Sequence, residues 1–74
     1  MRMLITPLRK ARINANLTIV EVASAVKCDP GNLSRMERGI QRPTAEMAEK
    51  LAQLFKSELT ELQVLYPERF AEQG

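Results

Sequence analysis

Apolar residues recur along this chain at the spacing of helices rather than of strands. Leu8, Ala11 and Ala15 lie three or four residues apart and therefore form one stripe along a helix. Four later segments repeat this spacing, with the apolar positions Ile19, Val22, Ala23 and Val26, then Leu33 and Met36, then Met47, Ala48, Leu51, Ala52, Leu54 and Phe55, and finally Leu59, Leu62 and Leu65. The pattern predicts five short helices.

Capping residues mark where the first four helices begin. Thr6-Pro7 and Asp29-Pro30 each place a capping side chain before a proline at the first helical position, where a missing N–H costs nothing. Thr18 is followed three residues later by Glu21, which is the spacing of a capping box. Thr44 is the expected cap of the fourth helix.

Glycine and proline mark the helix ends. Gly39 stands at the position where a glycine commonly terminates a helix, and residues 40–43 connect the third helix to the fourth. We expect the fifth helix to begin at Ser57 or Glu58. It should end at Tyr66, because the residue before a proline avoids the α conformation.

Length and composition fit one small all-α domain. The chain has 74 residues, of which 45% are hydrophobic but only 4% aromatic, a balance that disfavours a β-sandwich or barrel and suits a helical bundle. We expect a single domain over residues 1–74, with its core in 7–65 and a frayed tail in 67–74. No run approaches the roughly 18 apolar residues of a membrane helix, and the absence of a possible disulfide favours the cytoplasm.

The residue types present argue against catalysis. The chain has no histidine, which removes the commonest general base and every metal site that needs an imidazole. Its carboxylates fall at helix caps and at solvent-facing positions rather than in a pair. The only cysteine, Cys28, is expected to be a buried apolar thiol rather than a redox sensor. We therefore expect no enzymatic activity, no metal and no cofactor.

Charge is unevenly divided along the chain. Residues 1–42 contain eight basic and three acidic side chains, whereas residues 43–74 contain three basic and six acidic ones. A basic half indicates a surface that faces a polyanion, and an acidic half indicates a side turned away from it.

The second and third predicted helices are separated by only Lys27-Cys28, which is the tight corner of a helix-turn-helix. Residues 8 to 62 resemble the lambda-repressor-like family of phage repressor/Cro type, also called XRE-like. The elements that carry the resemblance are Leu8-Arg9-x-x-Arg12, Leu17-Thr18-x-x-Glu21-Val22-Ala23, Asn32-Leu33-Ser34-Arg35-Met36-Glu37-Arg38-Gly39, Arg42-Pro43-Thr44, Leu51-Ala52-x-x-Phe55 and Leu59-x-x-Leu62. The resemblance implies a compact five-helix DNA-binding domain.

By this resemblance, the helix over residues 30–38 is the recognition helix and lies in the major groove of DNA. Its outward residues at the groove are then Gly31, Asn32, Ser34 and Arg35, and these are the expected base readers. Arg35 is the first candidate, because a guanidinium can bond to both O6 and N7 of guanine. Asn32 could bond to an adenine edge or to a phosphate.

The resemblance also implies contacts to the DNA backbone. Thr18 and the N–H groups at the start of the second helix are well placed to meet a phosphate, aided by the helix dipole. Arg38 and Arg42 are the expected cationic phosphate partners, with Lys10 and Lys27 as weaker candidates.

Within the family, the residues that match Arg12 and Glu37 form a partly buried ion pair, and both are expected to be structural here. The sequence departs from the family pattern at four places, one of which is Cys28, where a small hydrophobic residue is usual. Lys27 replaces the usual turn glycine and must adopt a left-handed conformation or bend the corner differently. Ile19 stands where glutamine is common, and Pro30-Gly31 replaces polar residues at the helix start.

The function that the resemblance implies is sequence-specific DNA binding by a transcriptional regulator, acting as a homodimer on a pseudo-palindromic site. One recognition helix contacts too few bases to specify a site. Two recognition helices about 34 Å apart contact two half-sites on one face of the DNA. The expected dimer surface comprises Leu65, Tyr66 and Phe70, with Ile40 as a further candidate. Leu59 and Leu62 are expected to close the core instead.

Several contexts remain open for such a regulator. We expect no second domain of the kind that full-length phage repressors carry, which leaves a Cro-like repressor, a restriction–modification controller or the antitoxin of a toxin–antitoxin pair. An antitoxin would need a surface for its toxin, for which the acidic half is the candidate. A protein-interaction adaptor on the same fold is the alternative of a different class.

Overall fold

The computed structural model describes residues 4–56, 58–70 and 72–73. Five helices form most of it: α1 (Pro7–Asn14), α2 (Ile19–Val26), α3 (Pro30–Glu37), α4 (Ala45–Leu54) and α5 (Glu61–Leu65). A 3₁₀ helix over Pro67–Arg69 follows α5. The two-residue segments β1 (Leu4–Ile5) and β2 (Glu72–Gln73) pair antiparallel, with Leu4 opposite Gln73. The predicted all-α class is confirmed, and none of the described helices is long and apolar enough to cross a membrane.

The first four helices begin at the predicted caps. Thr18 and Glu21 form a complete capping box, in which each side chain accepts a hydrogen bond from the backbone N–H of the other residue. Asp29 accepts from the first amides of α3. Thr6 and Thr44 cap α1 and α4 in the same way. Local chemistry therefore sets these starts, because each cap satisfies amides that the helix itself leaves unpaired.

The first three helices end in one common way, with a left-handed residue followed by a backbone hydrogen bond to the last turn. The left-handed residues are Asn16 (φ 59°), Lys27 (φ 58°) and Gly39 (φ 74°). The N–H of the next residue then donates across the turn: Leu17 to the carbonyl of Arg12 at 3.2 Å, Cys28 to that of Ala23 at 2.9 Å, and Ile40 to that of Arg35 at 3.0 Å. This is the Schellman arrangement, which satisfies carbonyls at the helix end.

The fifth helix begins later than predicted. Glu58 lies before it, and Ser57 lies outside the described residues. The start is set by Thr60, which caps α5 and forms a second capping box with Gln63. The later start changes which face is buried. Leu62, expected in the core, is 59% exposed, and Val64 is buried in its place, while Leu59 is buried as expected.

Where the sequence predicts a frayed tail, the described residues form a 3₁₀ helix (Pro67–Arg69) and the strand β2 (Glu72–Gln73). Pro67 opens the 3₁₀ helix, which suits a residue that has no N–H to satisfy. The N–H of Phe70 donates to the carbonyl of Pro67 at 3.1 Å. Beyond it, β2 pairs with β1 at the other end of the chain. The strand pairing joins residues at opposite ends of the chain. The spacing of hydrophobic residues is a local pattern and does not predict such a pairing.

One apolar cluster holds the helices together, and each of the five α-helices contributes to it. Its buried members are Leu8, Ala11, Val22, Ala23, Val26, Leu33, Met36, Ala48, Leu51, Phe55, Leu59 and Val64. Ala15 and Leu54, which were expected on inner stripes, are exposed. A core of this size gives limited stability, so each buried polar contact has a large relative effect.

A buried ion pair joins α1 to α3. Nε of Arg12 lies 2.5 Å from Oε2 of Glu37, and the Glu37 side chain is only 3% exposed. Nη1 of Arg12 also donates to the carbonyl of Leu17 at 2.8 Å. The buried hydroxyl of Thr6 donates to the backbone carbonyl of Glu37 at 2.6 Å. Both the side chain and the carbonyl of Glu37 are therefore satisfied by the first helix and its cap.

Replacing Arg12 should destabilise the domain strongly. Arg12→Met leaves the Glu37 carboxylate buried without its partner, and we expect the free energy of unfolding to fall by about 3–5 kcal/mol in urea titrations followed by circular dichroism. Adding Glu37→Met to the same chain should recover much of the loss, because no buried charge then remains.

Lys50→Met is the matched control for this experiment. Its partner Glu46 is 3.7 Å away and both side chains are exposed, so the expected loss is below about 0.5 kcal/mol. A similar loss in Arg12→Met and Lys50→Met would contradict the structural importance of the buried pair.

Lys27 carries a backbone cost that glycine would remove. The left-handed conformation costs a residue with a side chain roughly 1–2 kcal/mol of folding free energy. Glycine avoids this cost but loses more backbone entropy on folding, so the substitution recovers only part of it. Lys27→Gly should therefore raise the free energy of unfolding by about 1 kcal/mol. Ala25→Gly, at an exposed position inside α2, should lower it by about 0.5–1 kcal/mol. If both variants shift the urea midpoint in the same direction, the left-handed conformation of Lys27 does not carry the proposed backbone cost.

Candidate nucleic-acid interface

The corner between α2 and α3 presents one face of α3 to solvent. Lys27 adopts the left-handed conformation rather than bending the corner, and α3 packs against α1 and α2. Leu33, Met36 and Glu37 of α3 are buried. The opposite face carries the half-buried Gly31, Asn32 and Ser34 and the exposed Arg35 and Arg38. The predicted base readers thus lie together on the exposed side of one helix.

Arg35 is held by two side-chain acceptors. Its Nε donates to Oε1 of Gln41 at 3.0 Å, and its Nη2 donates to Oδ1 of Asn32 at 2.5 Å. Asn32 was expected on the same outward face of the helix as Arg35. Gln41 was not, because it belongs to the connector after α3, and no sequence signal places that connector against Arg35.

The start of α3 is occupied by its own cap. Oδ2 of Asp29 accepts from the N–H groups of Gly31 at 2.9 Å and Asn32 at 3.3 Å. A Cβ added at Gly31 would lie 2.8 Å from this oxygen, so a side chain there would displace the cap. Gly31 therefore brings only backbone and Cα surface to the exposed face of α3, and its amide is already bonded to Asp29.

The start of α2 is exposed at Thr18 and Val20. Thr18 uses its N–H and one lone pair of its hydroxyl within the capping box, and the hydroxyl hydrogen can still be donated. The first N–H groups of a helix, here those of Ile19 and Val20, have no partner inside it. The Ile19 side chain packs against the core, and Val20 is 63% exposed. Thr18 and these amides can therefore meet an anion.

The predicted cationic residues fall into separate groups. Arg38 is exposed at the end of α3, where its Nε makes a weak bond of 3.4 Å to the carbonyl of Ser34. Lys10 lies on α1 in a depression that Phe70 also lines. Lys27 lines a different depression, together with Lys50 of α4 and Lys56 just after that helix. The sequence did not predict that these three lysines lie together.

Arg42 contacts the C-terminal segment. Its Nη2 lies 2.9 Å from Oε1 of Glu68, in a pair that is about half exposed. Its guanidinium lies 5.1 Å from the centre of the Tyr66 ring, and that of Arg69 lies 4.9 Å from the same ring. These distances are those of cation–π contacts. The structure thus adds Arg69 and Glu68 to the surroundings of Arg42, where the sequence placed neither.

The predicted dimer residues differ in how much surface they offer. Ile40 is 67% exposed and Phe70 is 44% exposed. Leu65 is half-buried and packs against the core, and Tyr66 is half-buried beneath the two arginines. Leu62, expected inside, is a further exposed apolar residue.

Cys28 packs against the core beside the corner and is half-buried. Burial raises the pKa of its thiol, and the neighbouring Asp29 carboxylate raises it further. A raised pKa keeps the thiol protonated near neutral pH, and the protonated form is the less reactive one. Among the described residues, no group of three histidine, cysteine or carboxylate side chains is placed to hold a metal ion.

The comparison with protein families agrees with this arrangement. A family model described as helix-turn-helix matches residues 8–62, which extends from the start of α1 into α5. No curated protein and no solved structure matches the chain.

Proposed function

The chain belongs to the lambda-repressor-like helix-turn-helix family, and from this premise we propose that it is a sequence-specific transcriptional regulator, of the Cro-like repressor or controller type, acting on DNA in the cytoplasm. The observation that carries the proposal is the exposed face of α3. That face displays Asn32, Ser34, Arg35 and Arg38, while the opposite face is locked into the core. A rigid helix with donors on its outer face is what the major groove accommodates.

In this proposal, base reading is centred on Arg35. A guanidinium has five N–H donors, and two are engaged within the protein. The others remain for the O6 and N7 acceptors of guanine. Asn32 and Ser34 lie beside it and read neighbouring groups. Gly31 lets the backbone of α3 approach the bases closely, because it adds no side chain.

Phosphate contacts come from the elements around α3. The hydroxyl of Thr18 and the first amides of α2 meet one phosphate, aided by the helix dipole. Arg38 meets another at the end of α3. Arg42 exchanges Glu68 for a phosphate at little energetic cost, because their pair is exposed and therefore weak. Lys10 and Lys27 add long-range attraction.

Two copies are proposed to bind one pseudo-palindromic site, since a single α3 contacts few base pairs. Two recognition helices about 34 Å apart enter successive major grooves on one face of DNA. Ile40 and Phe70 supply exposed apolar surface for the dimer, and the half-buried Leu65 and Tyr66 add to it.

Arg35→Ala tests the proposed reading of bases. A preferred duplex is first selected from a randomised pool, and its affinity is compared with that of a scrambled duplex by fluorescence anisotropy at one fixed salt concentration. The intact protein should prefer the selected duplex by about 1,000-fold. Arg35→Ala should lose about 1–3 kcal/mol of this preference and become indifferent at one base pair.

Lys56→Ala removes the same charge from the end of α4 and serves as the control. It should weaken binding to both duplexes slightly and leave the preference intact. An unchanged base preference in Arg35→Ala would exclude Arg35 as a reader. If no duplex is bound at all, the adaptor alternative replaces DNA binding.

The dimer is tested by placing charge on its proposed surface. Phe70→Glu and Ile40→Glu should each shift the protein towards monomer in sedimentation equilibrium and weaken binding to the full site. Binding to a half-site should change much less, because each copy keeps its own α3. Ile13→Glu, at an exposed apolar position of α1, is the control. A dimer that survives both substitutions, or that only Ile13→Glu disrupts, would place the interface elsewhere.

A further inference from the structure

The connector after α3 folds back onto the last turn of that helix. Gly39 adopts a φ of 74°, which reverses the chain. The N–H groups of Ile40 and Gln41 then both donate to the carbonyl of Arg35, at 3.0 and 3.3 Å. The backbone of Gln41 is thereby attached to the same residue that its side chain contacts. Its position relative to Arg35 does not depend on a flexible loop.

The chemistry of the contacts determines how the two amides are oriented. A guanidinium only donates hydrogen bonds, so the groups facing it must be the oxygens Oε1 of Gln41 and Oδ1 of Asn32. The amide nitrogens of both side chains are donors and are left to face away from Arg35. The unused N–H groups of Arg35 and the amide nitrogen of Asn32 therefore present donors, while Gln41 contributes the acceptor that holds Nε of Arg35.

We propose that Gln41 is a positioning residue for base reading, and that Asn32, Arg35 and Gln41 form one unit selective for guanine. This inference rests on the proposed function. In the major groove guanine shows two acceptors, whereas adenine shows an acceptor and a donor, and cytosine shows a donor. A group of donors therefore matches guanine and leaves the adenine or cytosine amino group facing another donor.

The same arrangement changes the expected role of Asn32. Asparagine recognises adenine through two hydrogen bonds, one accepted by its amide oxygen and one donated by its amide nitrogen. Here the oxygen is engaged by Arg35, so Asn32 holds the reader in place and offers its nitrogen to an acceptor. Gln41, which is half-buried, accepts from Nε of the same guanidinium. An exposed arginine with two fixed acceptors loses less conformational freedom on binding DNA.

Gln41→Met tests the proposal, because methionine has similar length but no comparable acceptor. The base pair read by Arg35 is first identified as the position at which the Arg35→Ala variant no longer prefers one base pair. The affinities for duplexes that carry each of the four base pairs at this position are then compared. Gln41→Met should lower the preference for guanine about tenfold, within the range that one bidentate contact supplies. Binding to a scrambled duplex and the urea midpoint should stay unchanged.

Two further variants separate positioning from direct contact. Gln41→Glu keeps an acceptor for Nε of Arg35 and should retain the preference for guanine. In an Arg35→Ala background, Gln41→Met should cause no further loss of preference, because the group it positions is gone. Gln53→Met, at an exposed glutamine of α4, is the matched control and should match the intact protein. An equal loss at all four base pairs, or an additive loss in the double variant, would overturn the proposal.

A measurement without DNA keeps this inference separate from the proposed function. The Nε–Hε signal of Arg35 in nuclear magnetic resonance should be resolved and slow to exchange in the intact protein and in Gln41→Glu. It should broaden or exchange faster in Gln41→Met. An identical signal in Gln41→Met overturns the positioning role, whether or not a specific duplex is found. A changed signal with no specific duplex would support positioning and count against DNA reading.

Discussion

The buried pair between Arg12 and Glu37 is the constraint on which the rest of this small domain depends. A carboxylate taken out of water is tolerated only when its charge and its lone pairs are satisfied, and here α1 and the Thr6 cap supply that satisfaction. Because both Glu37 groups point at α1, the end of α3 has one position relative to the first helix. The apolar core alone would specify this orientation less strictly, since hydrophobic contacts are not directional.

The last turn of α3 serves both stability and recognition. Glu37 of that turn faces inward, while Arg35 and Arg38 face solvent. The reversal at Gly39 ends the helix and returns Gln41 to Arg35. The buried pair and the outward reader therefore lie on opposite sides of the same helical turn.

The acidic second half of the chain is not simply a side turned away from the basic half. Glu68 pairs with Arg42, and the Tyr66 ring lies under both Arg42 and Arg69. The C-terminal segment therefore holds one of the proposed phosphate contacts in the free protein. An exposed pair of this kind is screened by salt and easily exchanged, so the segment positions Arg42 without removing it from use.

The sequence by itself determined the elements whose signals are local. Thr18, Asp29 and Gly39 act within a few residues of themselves, whereas at Lys27 the sequence left a left-handed residue and a differently bent corner both open, and the structure has the left-handed residue. The Thr60 capping box was equally local and readable, but the leucine spacing from Leu59 onward favoured an earlier start for α5. Tertiary structure alone decided the contact of Gln41 with Arg35, the pair of Arg42 with Glu68 and the pairing of the strands. Each of these contacts joins residues far apart in sequence or in different elements, and the packing of the helices decides which of them meet.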